Sequence, residues 1–377
     1  MANMLDYLVW RGDLPFPAVP VGEVDGLILA QLAMINWEKA PEGEASLHDL
    51  SAAMAGGDVS SSFTADNDRK MLALAGASAR FGAVRLSDYL NEVDTEAEKQ
   101  FSAVTFHLPD GSRYISYRGT DATIVGWKED CAMAFSKPVP AQEEAVSYLE
   151  AGALKYPGPL YVGGHSKGGN LAMFAAANAN EDVRRRIVTV FNFDGPGLSD
   201  QMDAQGMYAR MTGRLHSCIP QGSIVGLLLA HPDKYTVVKS NSVSLFQHDP
   251  YTWQVKGGNF VHMQSLSSES ARFDGVFREW LKELDEDDRS ALVDTLFGIL
   301  SATKSRSFGR AFWAGLAQNS KSVLEAIEQV TPETRGRVMR MIGGLGRLAL
   351  MPPDHKCQRQ ERRMLSDTDN AGSLMDS

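Results

Sequence analysis

Cysteine is scarce in this sequence: Cys131, Cys218 and Cys357 are three residues, odd in number and far apart. That excludes a disulfide framework and fits a reducing compartment. The CxxC and HxxxH spacings of zinc sites are missing as well, so neither a metal nor an organic cofactor is expected. Long apolar runs are absent; the longest, Ile224 to Ala230, is far too short to cross a bilayer, and no integral membrane segment is expected. The opening residues, MANMLDYLVWRGDLPF, lack the basic and then apolar pattern of a secretory signal. An excess of positive charge is absent too. With 37 Lys and Arg against 47 Asp and Glu the net charge is -10, which offers nothing to nucleic acid or to an anionic membrane surface. These absences leave a cytoplasmic protein as the expectation and say nothing of its oligomeric state.

What is present is ordinary for a globular chain: 377 residues, 44% hydrophobic and 22% charged, enough for one large α/β domain with an appendage. The spacing of apolar residues predicts helices over Gly26 to Trp37, Met71 to Ala77, Leu86 to Tyr89 and Ala141 to Leu154. SAVTFHL (Ser102 to Leu108) and RYISYRG (Arg113 to Gly119) flank Pro109-Asp110-Gly111 and read as a β-hairpin. Buried strands are expected at Pro159 to Gly163, Arg186 to Phe193 and Tyr235 to Lys239, with a helix over Lys167 to Asn178. Strands alternating with helices imply an α/β fold with a mainly parallel central sheet and helices on both faces. Near residue 266 the character changes to helical periodicity throughout. The chain therefore divides into an α/β domain at 1–265, a helical C-terminal unit at 266–350, and a polar tail at 351–377 expected to be disordered.

One stretch in this frame carries chemistry. Tyr161 to Ala172 reads YVGGHSKGGNLA, a G-x-S-x-G pattern centred on Ser166 between an expected strand and an expected helix. In such an elbow the serine backbone is strained, and glycines on both sides let strand and helix approach. The amide of the next residue, Lys167, then faces a developing oxyanion from a helix N-terminus. A glycine turn with a surface serine is the plainer reading of the same letters.

GGHSKGGNLA together with ISYRGTDATIVGWKEDCAMAF (Ile115 to Phe135) resembles an uncharacterised bacterial group of α/β-hydrolase-like proteins related to class 3 lipases, over roughly residues 1–262. The resemblance implies an α/β-hydrolase fold and makes Arg118-Gly119-Thr120 the source of the second oxyanion donor. Thr120 N–H would join Lys167 N–H, with Asp121, Trp127 and Asp130 bracing the loop. A plain ion pair between Arg118 and Asp130 competes with any chemical role for them. Lys167 departs from the leucine usual in class 3 lipases. Its side chain is open to several readings: attraction of an anionic substrate, lowering of the serine pKa, pairing with a carboxylate, or exposure to solvent from the first helical turn.

A serine nucleophile needs a base and an orienting carboxylate, in the chain order Ser, Asp or Glu, His in α/β-hydrolases. His248 sits on a late loop, in a QHD…W pattern that also resembles the bacterial group, and is the chosen base. His231 and His262 are the alternatives, His216 is a further candidate, and His355 lies in the tail. Asp194 ends an expected strand before Gly195-Pro196-Gly197 and is the chosen acid, ahead of Asp233 and Asp249; a turn residue capping its own backbone is the plainer reading. Class 3 lipases carry their acid one strand later, where Gln221 to Val225 offers no carboxylate. Ile224 to Ala230 reads as either an apolar lid or a buried helix. The expectation is a serine hydrolase for a lipid or small-molecule ester, with thioester, amide and acyl-transfer chemistry open. The alternative is a non-catalytic scaffold whose helical C-terminal unit binds a protein partner.

Overall fold

The computed structural model describes residues 1–40, 45–57, 59–60, 62, 64–94, 99–120, 138–223, 225–227, 229, 235–242 and 244–267, with Gly336 alone beyond them. The expected helical unit at 266–350 and the tail therefore lie outside the described residues, apart from the first two positions and Gly336.

Eight strands build the main sheet in the order β1 (Arg85–Asp94), β2 (Lys99–His107), β3 (Arg113–Tyr117), β4 (Leu160–His165), β5 (Ile187–Phe193), β6 (Leu215–Pro220), β7 (Thr236–Val238) and β10 (His262–Met263). Strands β3 to β7 run parallel, while β1–β2, β2–β3 and β7–β10 pair antiparallel. A small ribbon of β8 (Val255–Lys256) and β9 (Asn259–Phe260) completes the described strands. This is the mainly parallel α/β sheet that the alternation of elements predicts, of the α/β-hydrolase kind that the resemblance implies.

Crossovers that all step the same way along a sheet keep one hand, so their helices fall on one face. Here α5 (Pro140–Lys155) and α6 (Lys167–Asn178), which flank β4, pack in the same hydrophobic cluster with Ile115, Val162 and Val190. The opposite face must then be covered by something else. It is covered by α1 (Met4–Arg11), α2 (Glu23–Leu32), α3 (Leu47–Ala53) and α4 (Ala65–Ala77), which meet Tyr114, Tyr161, Phe191 and Phe193. The strands alternate between the two clusters with period two, as a sheet buried on both faces requires.

One expected helix is corrected. Leu86 to Tyr89 lies within β1, and its helix-like spacing has a local cause. The register slips between Ser87 and Leu90, where Asp88 takes φ 53. This bulge brings Leu86 and Tyr89, three residues apart, to one side of the sheet, while Leu90 joins the other. Strand β6 has no counterpart among the expected elements: Leu215-His-Ser-Cys-Ile-Pro220 mixes polar and apolar residues on both faces and ends in proline, so no period shows.

Strand β4 and helix α6 approach so closely that side chains are excluded between them. A Cβ at Gly164 would overlap the backbone of Gly168, and one at Gly168 would overlap the Tyr117 carbonyl. Gly168→Ala is expected to cost about 1–3 kcal/mol or more through this overlap. Gly258, where an added methyl would meet nothing within 4 Å and the backbone has no positive φ, supplies the control. Its alanine variant should stay within about 0.5 kcal/mol of wild type in denaturant unfolding.

Candidate active site

Ser166 stands between β4 and α6 with φ 59 and ψ -132, one of four described non-glycine residues with positive φ. Such a backbone costs of order 1–3 kcal/mol and persists only where its surroundings hold it. Two hydrogen bonds do so: Ser166 N donates to the Phe193 carbonyl at the end of β5, and Gly169 N donates to the Ser166 carbonyl, both at 2.9 Å. The elbow predicted from GGHSKGG is therefore the observed conformation.

Asp194 follows β5 directly and is wholly buried, also at positive φ. Its carboxylate does not cap its own turn. Oδ1 accepts from Ser223 Oγ at 2.5 Å and from Gly226 N at 3.1 Å, while Oδ2 accepts from His248 Nδ1 at 2.7 Å. The turn behind it is braced separately. Asn192 accepts from Gly195 N at 3.0 Å, and Asn170 of α6 donates to the Gly197 carbonyl at 2.7 Å.

His248 closes a short 3-10 turn, Ser244–His248, and its side chain is 26% exposed. Because Nδ1–H faces a carboxylate, Nε2 of the neutral ring is left as the acceptor. The loop is pinned on both sides of this residue. Trp253 Nε1 donates to the Gln247 carbonyl, and Gly222 N donates to Gln247 Oε1, both at 2.8 Å. His165, immediately before Ser166, stacks on the His248 ring at 4.6 Å between centroids. Its Nε2 lies 2.9 Å from the His248 carbonyl, which can only accept, so that nitrogen carries the proton.

The remaining sequence candidates fall into place unequally. Gly119 lies against the elbow: a Cβ there would sit 2.8 Å from the His165 carbonyl and 3.3 Å from Ser166 Cβ, which brings Arg118 to Thr120 beside the serine. Asp121, Trp127, Asp130, His231, Asp233 and His355 lie outside the described residues. His262 is drawn away from Asp194 by Glu23, at 2.9 Å. Asp249 accepts from Tyr251 N at 3.0 Å and caps the turn Pro250–Thr252. Within Ile224 to Ala230, Val225–Leu227 forms a 3-10 turn with Gly226 and Leu227 buried, so this part is core packing and not an exposed lid.

The solvent reading of Lys167 is corrected. The side chain is buried and Nζ donates to the Gln100 carbonyl of β2 at 2.9 Å, which draws it away from the helix end. Three contributors are not evident in the sequence: Ser223, Gly226 and His165. The Gln221-Gly222-Ser223 stretch has no carboxylate of its own, yet it supplies a donor to one.

Burial, and secondly the nearby His248, hold the His165 imidazole well below its usual pKa. The folded protein thus refuses a proton that the unfolded chain takes up near pH 6.5. Stability from this group is complete above that pH and is lost as pH falls below it, by at most about 1.4 kcal/mol per unit. Denaturant unfolding at pH 7 and pH 5 should show wild type losing about 1–2 kcal/mol more than His165→Gln. An equal loss in both would contradict a buried neutral His165.

No curated protein matches this chain. Among solved structures, the Rhizomucor miehei lipase in its propeptide complex is 17% identical, with TM-score 0.33, over 45% of this chain and 66% of that one. M37 lipase is 13% identical, with TM-score 0.38, over 55% of this chain and 70% of that one. This chain therefore spans slightly less than two thirds of the first lipase's length. The family model described as Mbeg1-like matches residues 75–298, more than half of the sequence and the whole of the sheet from β1 to β10. The chain belongs to the Mbeg1-like family.

Proposed function

We propose that this protein is a serine hydrolase that cleaves a carboxylic ester through an acyl-enzyme. Ser166 attacks the carbonyl carbon and His248 Nε2 takes its proton. The same imidazolium returns that proton to the leaving alkoxide, and water activated by His248 then deacylates the serine. Asp194 holds the imidazole in the Nδ1–H tautomer and stabilises the imidazolium. The amide of Lys167, in the first turn of α6 where backbone N–H groups point out of the helix, and the amide of Thr120 receive the oxyanion.

The observation that carries this reading is the Asp194–His248 hydrogen bond beside a strained serine at a helix N-terminus. A purely structural pair of this kind gains nothing from a neighbouring residue held in an unfavourable backbone conformation. The choice of an ester, from a lipid or a small molecule, rests on the resemblance of GGHSKGGNLA and the RGT stretch to a bacterial α/β-hydrolase-like group related to class 3 lipases.

A fluorophosphonate probe should label wild type and leave Ser166→Ala unlabelled. With a short-chain p-nitrophenyl ester, His248→Ala and Asp194→Asn should each lower kcat by about 10³-fold or more, as removal of triad members does elsewhere. His231→Ala should retain most of the activity. Equal labelling of wild type and Ser166→Ala would remove the hydrolase reading, and loss of turnover in His231→Ala alone would reassign the base.

A further inference from the structure

A second cluster of reactive side chains lies on the face of the sheet covered by α2. His216 and Cys218 alternate on β6 and so point the same way, in register with Phe191 and Phe193 of β5. Phe191 packs against Gly26 of α2, and one turn earlier on that helix is Glu23. Ligand atoms of Glu23, His216 and Cys218 all lie within 4.8 Å of one another, although Glu23 and Cys218 are 195 residues apart. Glu23 and Cys218 are buried and His216 is exposed, so the cluster is reachable from one side.

The two oxygens of Glu23 are used differently. Oε1 accepts from Phe260 N at 2.7 Å and faces His262 Nε2 at 2.9 Å. Oε2 lies 4.0 Å from Cys218 Sγ and, more weakly than Oε1, 3.3 Å from His262 Nε2. Among the described residues the ion pair recorded for this buried carboxylate is with His262, whose side chain is half exposed. A buried carboxylate without a full-time cation is expensive.

We propose that Glu23, His216 and Cys218 bind a divalent cation of the zinc type. Carboxylate, imidazole and thiolate together are a borderline-soft donor set suited to zinc. On binding, the Cys218 thiol loses its proton to solvent, and the two charges of the metal are balanced by one carboxylate and one thiolate. The buried centre is then neutral. Bonds of about 2.0–2.3 Å require ligand atoms nearer together than 4.8 Å, and the exposed ring of His216 can turn inward to close the gap. Phe260 N on Oε1 and His262 Nε2, nearer Oε1 than Oε2, hold the carboxylate in place, as second partners of metal ligands do. Three protein ligands leave a fourth position for water.

Chelator-stripped, reduced full-length protein titrated with Co²⁺ tests this site independently of any hydrolytic activity. One ion per chain is expected, with a thiolate-to-cobalt charge-transfer band that is lost in Cys218→Ser. His216→Ala, at an exposed position, should keep the fold by circular dichroism and weaken Co²⁺ and Zn²⁺ binding by about tenfold or more. The double variant Cys131→Ser/Cys357→Ser leaves Cys218 as the sole thiol and should retain the band, which keeps the test decisive even where Cys218→Ser does not fold. Absence of the band in wild type or in the double variant, its survival in a folded Cys218→Ser, or unchanged affinity in His216→Ala would overturn the proposal.

Discussion

The arrangement of the candidate site depends on one buried carboxylate. Asp194 sits at the end of β5 with no exposure, where an isolated anion would cost several kcal/mol. Three donors reach it, from Ser223, Gly226 and His248, and hydrogen bonds to a charged group contribute about 1.5–3 kcal/mol each. Together these are of the same size as the burial cost, so the anion is tolerable only while both segments that carry them stay in place. Gly226 is part of that requirement: a Cβ there would overlap Asp194 Oδ1, so its amide can reach the carboxylate because no side chain intervenes. Two otherwise separate loops, 221–227 and 244–248, are thereby fastened to one strand end.

A second fastening comes from the strand that leads into Ser166. His165 is the last residue of β4, and its ring both stacks on His248 and donates to its carbonyl. His248 is therefore oriented from two directions, by Asp194 through Nδ1 and by His165 through the backbone. Ser166 N in turn donates to Phe193, the residue before Asp194. Any shift of β4 relative to β5 would disturb the positions of Ser166, His248 and Asp194 together, which couples the alignment of the candidate site to the parallel pairing of these two strands.

What could be read from the sequence follows from the range of the interactions involved. Ser166 was legible because the elbow is local: strand, glycines and helix are contiguous, and Gly164 has its steric cause at Gly168, although Gly168 itself answers to Tyr117 on the neighbouring strand. Asp194 was legible because a carboxylate ending a buried strand before Gly-Pro-Gly has few other places to point. Ser223 and Gly226 were not, since neither residue type carries a signal until the turn that holds them is folded against Asp194. Strand β6 was hidden for a related reason. Its Ser217 adds nothing to a hydrophobic pattern but receives a hydrogen bond from Asn192, and its Cys218 and His216 face Glu23. Leu86 and Tyr89 misled because a bulge can imitate helical spacing on a strand.

Strand β6 also joins the two clusters of reactive groups. The Cys218 carbonyl accepts from Asp194 N at 2.8 Å, so the backbone of this residue supports the acid while its side chain faces α2. Because side chains alternate across a strand while carbonyls lie in the sheet, one residue can serve both without the two groups meeting. A cation held by the Cys218 thiolate would thus restrain the strand on which the Asp194 amide rests, but would not contact the carboxylate or the imidazole. The proposed ester cleavage and the proposed cation site would remain separate, and what they share is the position of a single strand.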